Sequence, residues 1–250
     1  LEAKLGSMRT ANTRCGIART ANGVSVVSTE ALADLEPLGF RSHTGAWITL
    51  GATLNVPATS AKVVVLGPRG APKTYPTTLE RGRVNARFAL DRPGGFTVQV
   101  LADIEGGPRP VLEARVFADE PPSHDYLPAP GESAPSREVR GATVRSEEGF
   151  HALNHDARLD ALAAAHVERM KSAGKTAHDL GDGDLAERFQ REGYVAELVG
   201  ENVAKASTLA LAHRALYASP SHRLNQLNAG YTRSGTATAS DGAHIWVCEF

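Results

Sequence analysis

The sequence predicts an α+β protein made of two unlike parts. Residues 41–118 hold short apolar runs of period two punctuated by Gly and Pro, the pattern of a small β-sandwich, immunoglobulin-like in general form. Residues 142–250 carry apolar residues at helical spacing and then a closing hairpin, the order of an α+β layer arrangement. Between them, residues 119–141 are too rich in Pro and Ser for a regular element and read as an extended, exposed linker.

Composition narrows the class. The 250 residues are 42% hydrophobic and 22% charged, with a formal net charge of −1, as in ordinary globular domains. That balance gives no electrostatic footprint for nucleic acid. No apolar run approaches the roughly 20 residues of a transmembrane helix, and no signal peptide is visible. The chain begins at Leu1 without an initiator Met and stops at Phe250 inside an apolar run, as expected of a piece of a longer chain. The missing signal therefore leaves secretion open.

Within residues 1–40, Arg14–Arg19 and Val24–Thr29 flank Asn22-Gly23, a pair that favours a type I′ hairpin turn because both central residues need positive φ. Leu32, Leu35 and Leu38 lead into an irregular connection. Strands are then expected from Trp47 to Val56, from Lys62 to Leu66, from Arg83 to Leu90, from Phe96 to Leu101 and from Val111 to Phe117. Val84, Ala86, Phe88 and Leu90 alternate onto one face, as do Phe96, Val98 and Val100. His43 and Trp47 read as packing or surface residues, and no catalytic constellation falls in this part.

In the second part, Asp156 is placed to cap a helix running to about Ser172, with Gly174 as its stop. Leu159, Leu162, His166 and Met170 share one face of it, and His166 reads as a packing histidine. A second helix starts near Asp184 and a third after Ser207. Ser219 caps a short fourth helix, with Pro220 at the position where a missing N–H costs nothing. A hairpin closes the chain across Asp241-Gly242.

The first hairpin has an echo in the last. Set without gaps, residues 12–31 and 231–250 share Thr13/Thr232, Arg14/Arg233, Gly16/Gly235, Ala18/Ala237, Gly23/Gly242 and Glu30/Glu249. Shared turn chemistry, a duplicated remnant, and pairing of the first hairpin with the second domain's sheet all account for it. The last case would bring Cys15 to Cys248, and a disulfide there would constrain the unfolded chain by roughly 4–5 kcal/mol. The plainer expectation is two unpaired thiols.

His178, Glu201 and His222 fall near helix ends, roughly twenty residues apart, so separate elements can fold back and join them. Two imidazoles and a carboxylate suit zinc, with water in the fourth position, and such a water would serve hydrolysis. Glu201 off the metal would be a general base. A structural carboxylate bound to nearby donors fits the same residues. The loop Asp179-Leu-Gly-Asp182-Gly-Asp184 lacks the alternating ligand spacing and terminal Glu of a calcium loop.

The second part resembles the CAP (SCP-like) superfamily of cysteine-rich secretory and pathogenesis-related proteins, and with a β-domain ahead of it the bacterial type. Leu153–Leu159, Ala165–Met170, Ala177-His178, Arg188 through Gly193-Tyr194, Gly200-Glu201-Asn202-Val203-Ala204 and Ser219-Pro-Ser-His222-Arg-Leu-Asn225 carry the resemblance, in the family's order. It implies an α-β-α sandwich over residues 142–250, a cavity holding His178, Glu201 and His222, and an extracellular or cell-surface protein. Ser219 stands where animal members carry a second cavity glutamate, Leu216 replaces the usual tryptophan, and the family's disulfides are absent. The function expected is binding of an extracellular lipid, cell-wall or protein ligand. The alternatives are a metal-dependent hydrolase at the three-residue cavity and an adhesion-type spacer.

Overall fold

The computed structural model describes residues 12–21, 23–105, 107–123 and 128–250. Asn22 and Gly106, at two predicted turns, and Leu127 lie outside the described residues. The first hairpin pairs β1 (Thr13–Thr20) with β2 (Gly23–Glu30) and, among the described residues, joins no other sheet. Short strands follow: β3 (Ala33–Leu35) and β4 (Arg41–Ser42). Then come β5 (Trp47–Leu54), β6 (Ser60–Leu66), β7 (Lys73–Tyr75), β8 (Thr77–Glu80), β9 (Arg83–Ala89), β10 (Gly94–Ile104) and β11 (Gly107–Ala118).

These form two sheets, ordered β4-β11-β10-β6-β7 and β3-β5-β9-β8. The alternation read from the sequence sets their facing surfaces. Leu50, Val84, Phe88 and Leu90 from one sheet and Val63, Val98, Val100 and Val116 from the other share one buried core. The segment predicted as an irregular connection contributes β3, because Ala33 and Leu35 pack on that core and pair with β5. The sandwich therefore begins within residues 1–40.

The second part holds α1 (Arg137–Glu147), β12 (Asn154–His155), α2 (Ala157–Ala173), α3 (Leu185–Arg191), β13 (Asn202–Ala206), α4 (Leu209–Ala218), α5 (Pro220–Gln226), β14 (Arg233–Ser234), β15 (Thr236–Ser240) and β16 (Ile245–Glu249). The sheet β13-β16-β15 is the middle layer. On one face Ala163, Val167 and Met170 of α2 pack on Trp246 and Cys248. On the other, Ala212 and Leu216 of α4 pack on Val247. This is the expected α-β-α order. Asp156 caps α2 by accepting from the Arg158 N–H, and Gly174 ends it at φ 68°.

Helix α1 begins inside the stretch assigned to a linker. Its buried face is Arg137, Arg140, Val144 and Arg145, so apolar periodicity does not reveal it. Part of the preceding segment is docked: Ala129 is buried, His213 Nε2 donates to the Pro130 carbonyl at 2.7 Å, and Glu132 pairs with Arg214, whereas residues 119–123 are exposed as expected. Those partners satisfy the groups that a bare linker would leave to water.

The Cys15–Cys248 disulfide is not formed. Cys15 is exposed on the first hairpin, and Cys248 is buried in the sheet beneath α2. The echo also fails in register. Thr13 opposes Glu30, whereas Thr236, not Thr232, opposes Glu249, because residues 241–244 make a longer loop.

Gly235 sits where β15 meets the start of α2, and a Cβ there would fall on the Leu159–Asp160 backbone. Gly235→Ala is expected to cost about 1–3 kcal/mol by overpacking, read as a lower midpoint in urea denaturation with an unchanged slope.

Candidate functional site

The site is centred on Glu201, whose side chain is 1% exposed. It stands just before β13, beside Cys248 of β16, under the end of α2 and the start of α3. His178 Nδ1 donates to Glu201 Oε1 at 2.6 Å. Arg188 Nη2 donates to Glu201 Oε2 at 2.6 Å and to the His178 carbonyl at 3.0 Å. His166 Nε2 donates to the Ala177 carbonyl at 2.9 Å and lies 3.8 Å from Glu201 Oε1. The Cys248 thiol approaches Glu201 Oε2 at 3.9 Å, and burial followed by the Glu201 charge pushes its pKa well above the usual thiol value.

Local sequence explains the placement. Asp184 and Glu187 form a capping box that starts α3, so Arg188 falls one turn in and reaches Glu201. Gly200 precedes the carboxylate because the Tyr231 hydroxyl fills the space of a Cβ. Asn202 then ties the layers together, donating to the His222 carbonyl at 3.1 Å and to Glu249 Oε1 at 2.7 Å. Asn225 donates to the Glu201 carbonyl at 3.2 Å.

His222 bonds outside this pair. Its Nδ1 meets the Ser219 hydroxyl at 2.8 Å, and burial pulls its pKa down to about 4. In hydrogen bonding the expected trio is a His178–Glu201 pair and a Ser219–His222 pair, with the His178 charge felt at His222. Among the described residues no group of three His, Cys, Asp or Glu side chains could hold a metal ion. Arg188 and His178 engage one oxygen each of Glu201, and His222 Nδ1 bonds to the Ser219 hydroxyl. Both Glu201 oxygens are bonded and the side chain is buried. The acidic loop serves turns and caps: Asp179 accepts from the Gly181 N–H, Asp182 pairs with Arg169, and Asp184 caps α3.

Sequence reasoning missed Arg188 as the cation on Glu201 and His166 as a wall of the site. It also missed a second buried carboxylate, Glu249, held by Arg137, Asn202 and Gln226 on the opposite face of the sheet. Beside it, His213 Nδ1 accepts from Arg137 at 2.6 Å, and burial together with the Arg137 charge pulls its pKa to about 4. The only sequence signal for Glu249 was its place on β16, where alternation turns it away from Cys248.

A three-layer α-β-α domain with a buried His–Glu pair on one face of its sheet defines a class. Residues 140–250 match the family described as the CAP, cysteine-rich secretory protein family, and this part of the chain is a CAP domain. No curated protein sequence matches. Among solved structures, similarity is found to an outer surface protein from Borrelia burgdorferi, at 21% identity and TM-score 0.42, over 45% of this chain and 86% of that one. An extracellular SCP-domain protein from Bacillus anthracis is similar at 18% identity and TM-score 0.41, over 87% of this chain and 88% of that one. A cysteine-rich secretory protein from Staphylococcus aureus is similar at 13% identity and TM-score 0.38, over 96% and 83%.

Two outcomes follow from this geometry. Glu201→Gln strands the buried Arg188 guanidinium without its anion and is expected to cost about 3–5 kcal/mol. His178→Ala, at a half-exposed ring, is expected to cost about 1 kcal/mol, both read by chemical denaturation. The second concerns pH. Above about 6.5 the His213 ring is neutral in both the folded and unfolded chain and contributes nothing. As pH falls from 6.5 to about 4, the unfolded chain takes up a proton that the folded chain refuses, so stability falls. His213→Gln is expected to reduce the slope of stability against pH in that window by up to about one proton, measured as denaturation midpoints across the range.

Proposed function

We propose that this chain is an extracellular binding protein whose CAP domain takes its ligand in an open cleft, with the Glu201 cluster as the scaffold behind it. The observation that carries this reading is the cleft of about 700 Å³ between the start of α2, the loop 194–200 and the segment 230–233. Its rim is apolar and unpartnered, with Val195 96% and Leu198 49% exposed. Phe189, Tyr194, Tyr231 and Phe250 line its interior.

The charges around the cleft are matched. Asp156 accepts from Arg233 Nη1 at 2.9 Å and from the Tyr194 hydroxyl at 2.8 Å; Arg233 foremost, then Tyr194, brings its pKa down to about 2. His155 Nε2 meets Asp160 at 2.5 Å. Arg158 lies over the Tyr194 ring and donates to the Glu192 and Gly193 carbonyls. Such a cleft favours a ligand with an apolar part and little net charge over a strongly charged one, and lipid, cell-wall and protein ligands are the classes to test. Among the described residues no helix is long and apolar enough to cross a membrane. The family's description as secretory supports an extracellular setting.

The test uses phospholipid vesicles and purified cell-wall fragments as separate probes. A Val195→Asp/Leu198→Asp double variant is expected to lose about tenfold or more in affinity, about 1.4 kcal/mol, while His178→Ala binds as the wild type does. Loss in His178→Ala with the double variant unaffected would move the site into the cavity. Tight zinc binding by calorimetry, abolished in His178→Ala/His222→Ala, would overturn the scaffold role and favour a metal-dependent hydrolase.

A further inference from the structure

The β-sandwich contributes a buried amide to the CAP domain. Gln99 lies on the outer face of β10, where a solvent-facing strand position would carry an exposed polar residue, yet it is only 3% exposed. Its Oε1 accepts from the Ser221 N–H of α5 at 3.1 Å. Its Nε2 donates to Glu113 at 3.1 Å and to the Ser219 hydroxyl at 3.4 Å. These partners fix which way the amide points, because a backbone N–H needs the oxygen and a carboxylate needs the N–H.

The contact answers a local deficit. The first N–H groups of a helix have no partner within it, and Ser219 at the N-cap of α5 makes no side-chain capping bond. Its hydroxyl is turned instead to His222 Nδ1 at 2.8 Å. Gln99, from another module, supplies the missing cap. Its amide also donates to the hydroxyl oxygen that faces His222. The Ser219 hydrogen then has two acceptors to choose from, His222 Nδ1 at 2.8 Å and the Ser221 hydroxyl at 3.4 Å, and the shorter contact is to His222.

We propose that Gln99 of the β-sandwich is a positioning residue for His222. It caps α5 and, through Ser219, holds the imidazole in the tautomer whose Nδ1 accepts and whose Nε2 carries the hydrogen. The CAP histidine is thereby set by the preceding module, and the relay is independent of which ligand the cleft takes.

The experiment is ring-nitrogen NMR of His222 in the full chain at a pH above its titration. Wild type is expected to show one acceptor nitrogen and one N–H, with Nδ1 as the acceptor. Gln99→Met, similar in shape but without the amide, is expected to shift both ring nitrogens toward the averaged pattern of exchanging tautomers, with the Trp246 indole signal unmoved. Ser219→Ala, which leaves Gln99 on Ser221, is expected to give the same shift and is the control that the relay runs through Ser219, while Gln99→Leu stands in should Gln99→Met fold poorly. Unchanged His222 ring nitrogens in the Gln99 variant, even with a shift in Ser219→Ala, or a wild-type spectrum with Nδ1 protonated, would overturn the proposal. A purely structural loss at Gln99 would lower the denaturation midpoint without moving those resonances.

Discussion

The CAP domain depends on one buried ion pair. Glu201 sits where water does not reach, and an isolated carboxylate there would cost several kcal/mol to desolvate. Arg188 supplies the opposite charge and His178 a second donor, so α3 and the 177–178 segment are drawn to the sheet edge by the same group. Gly200, Asn202 and Asn225 then fall into place around it, because each either makes room for or bonds to the backbone that carries the carboxylate. A group so fully committed is suited to holding a surface in shape. In the proposed reading, the cleft beside it is the surface for ligand contact.

The opposite face of the sheet repeats the solution with a different arrangement. Glu249 is buried and held by Arg137, Asn202 and Gln226. Arg145 donates to the carbonyls of His151, Gln226 and Asn228 instead of to a carboxylate, and burial lowers its pKa. Arg223 pairs with Glu148 and lies over Tyr217. Guanidinium groups fill this layer where many domains use leucine, since their planar forks satisfy several carbonyl and carboxylate oxygens at once. The outcome is a layer tied by directional bonds between α1, α5 and the sheet, which orders the 226–233 segment forming one wall of the cleft.

The two modules are joined by more than chain connection. Helix α5 lies on the outer faces of β10 and β6, where Val64, Gln99 and Leu101 are buried. The docked segment around Ala129 and Pro130 closes a second side through His213 and Arg214. Contacts of this kind make the sandwich part of the CAP domain's surroundings and give the buried Gln99 its role.

The residue pattern by itself determined the five longer strands of the sandwich and the starts of α2 and α3, because each rests on local chemistry: alternation, a side-chain oxygen on an orphan N–H, a glycine at positive φ; the α-β-α order of the CAP domain came with the family resemblance. It also singled out His178, Glu201 and His222. It did not place α1, whose buried face is arginine and so carries no apolar period, nor β3, whose three residues matter only once β5 lies beside them. The grouping of the site was decided by tertiary structure. Arg188 and Cys248 reach Glu201 from distant elements, while His222 turns to Ser219 because Gln99, 120 residues away in sequence from that hydroxyl, completes the hydrogen bonding there. The same holds for the two thiols, Cys15 on the first hairpin and Cys248 under α2. Sequence spacing left them free to meet, and the tertiary structure leaves one exposed and the other buried.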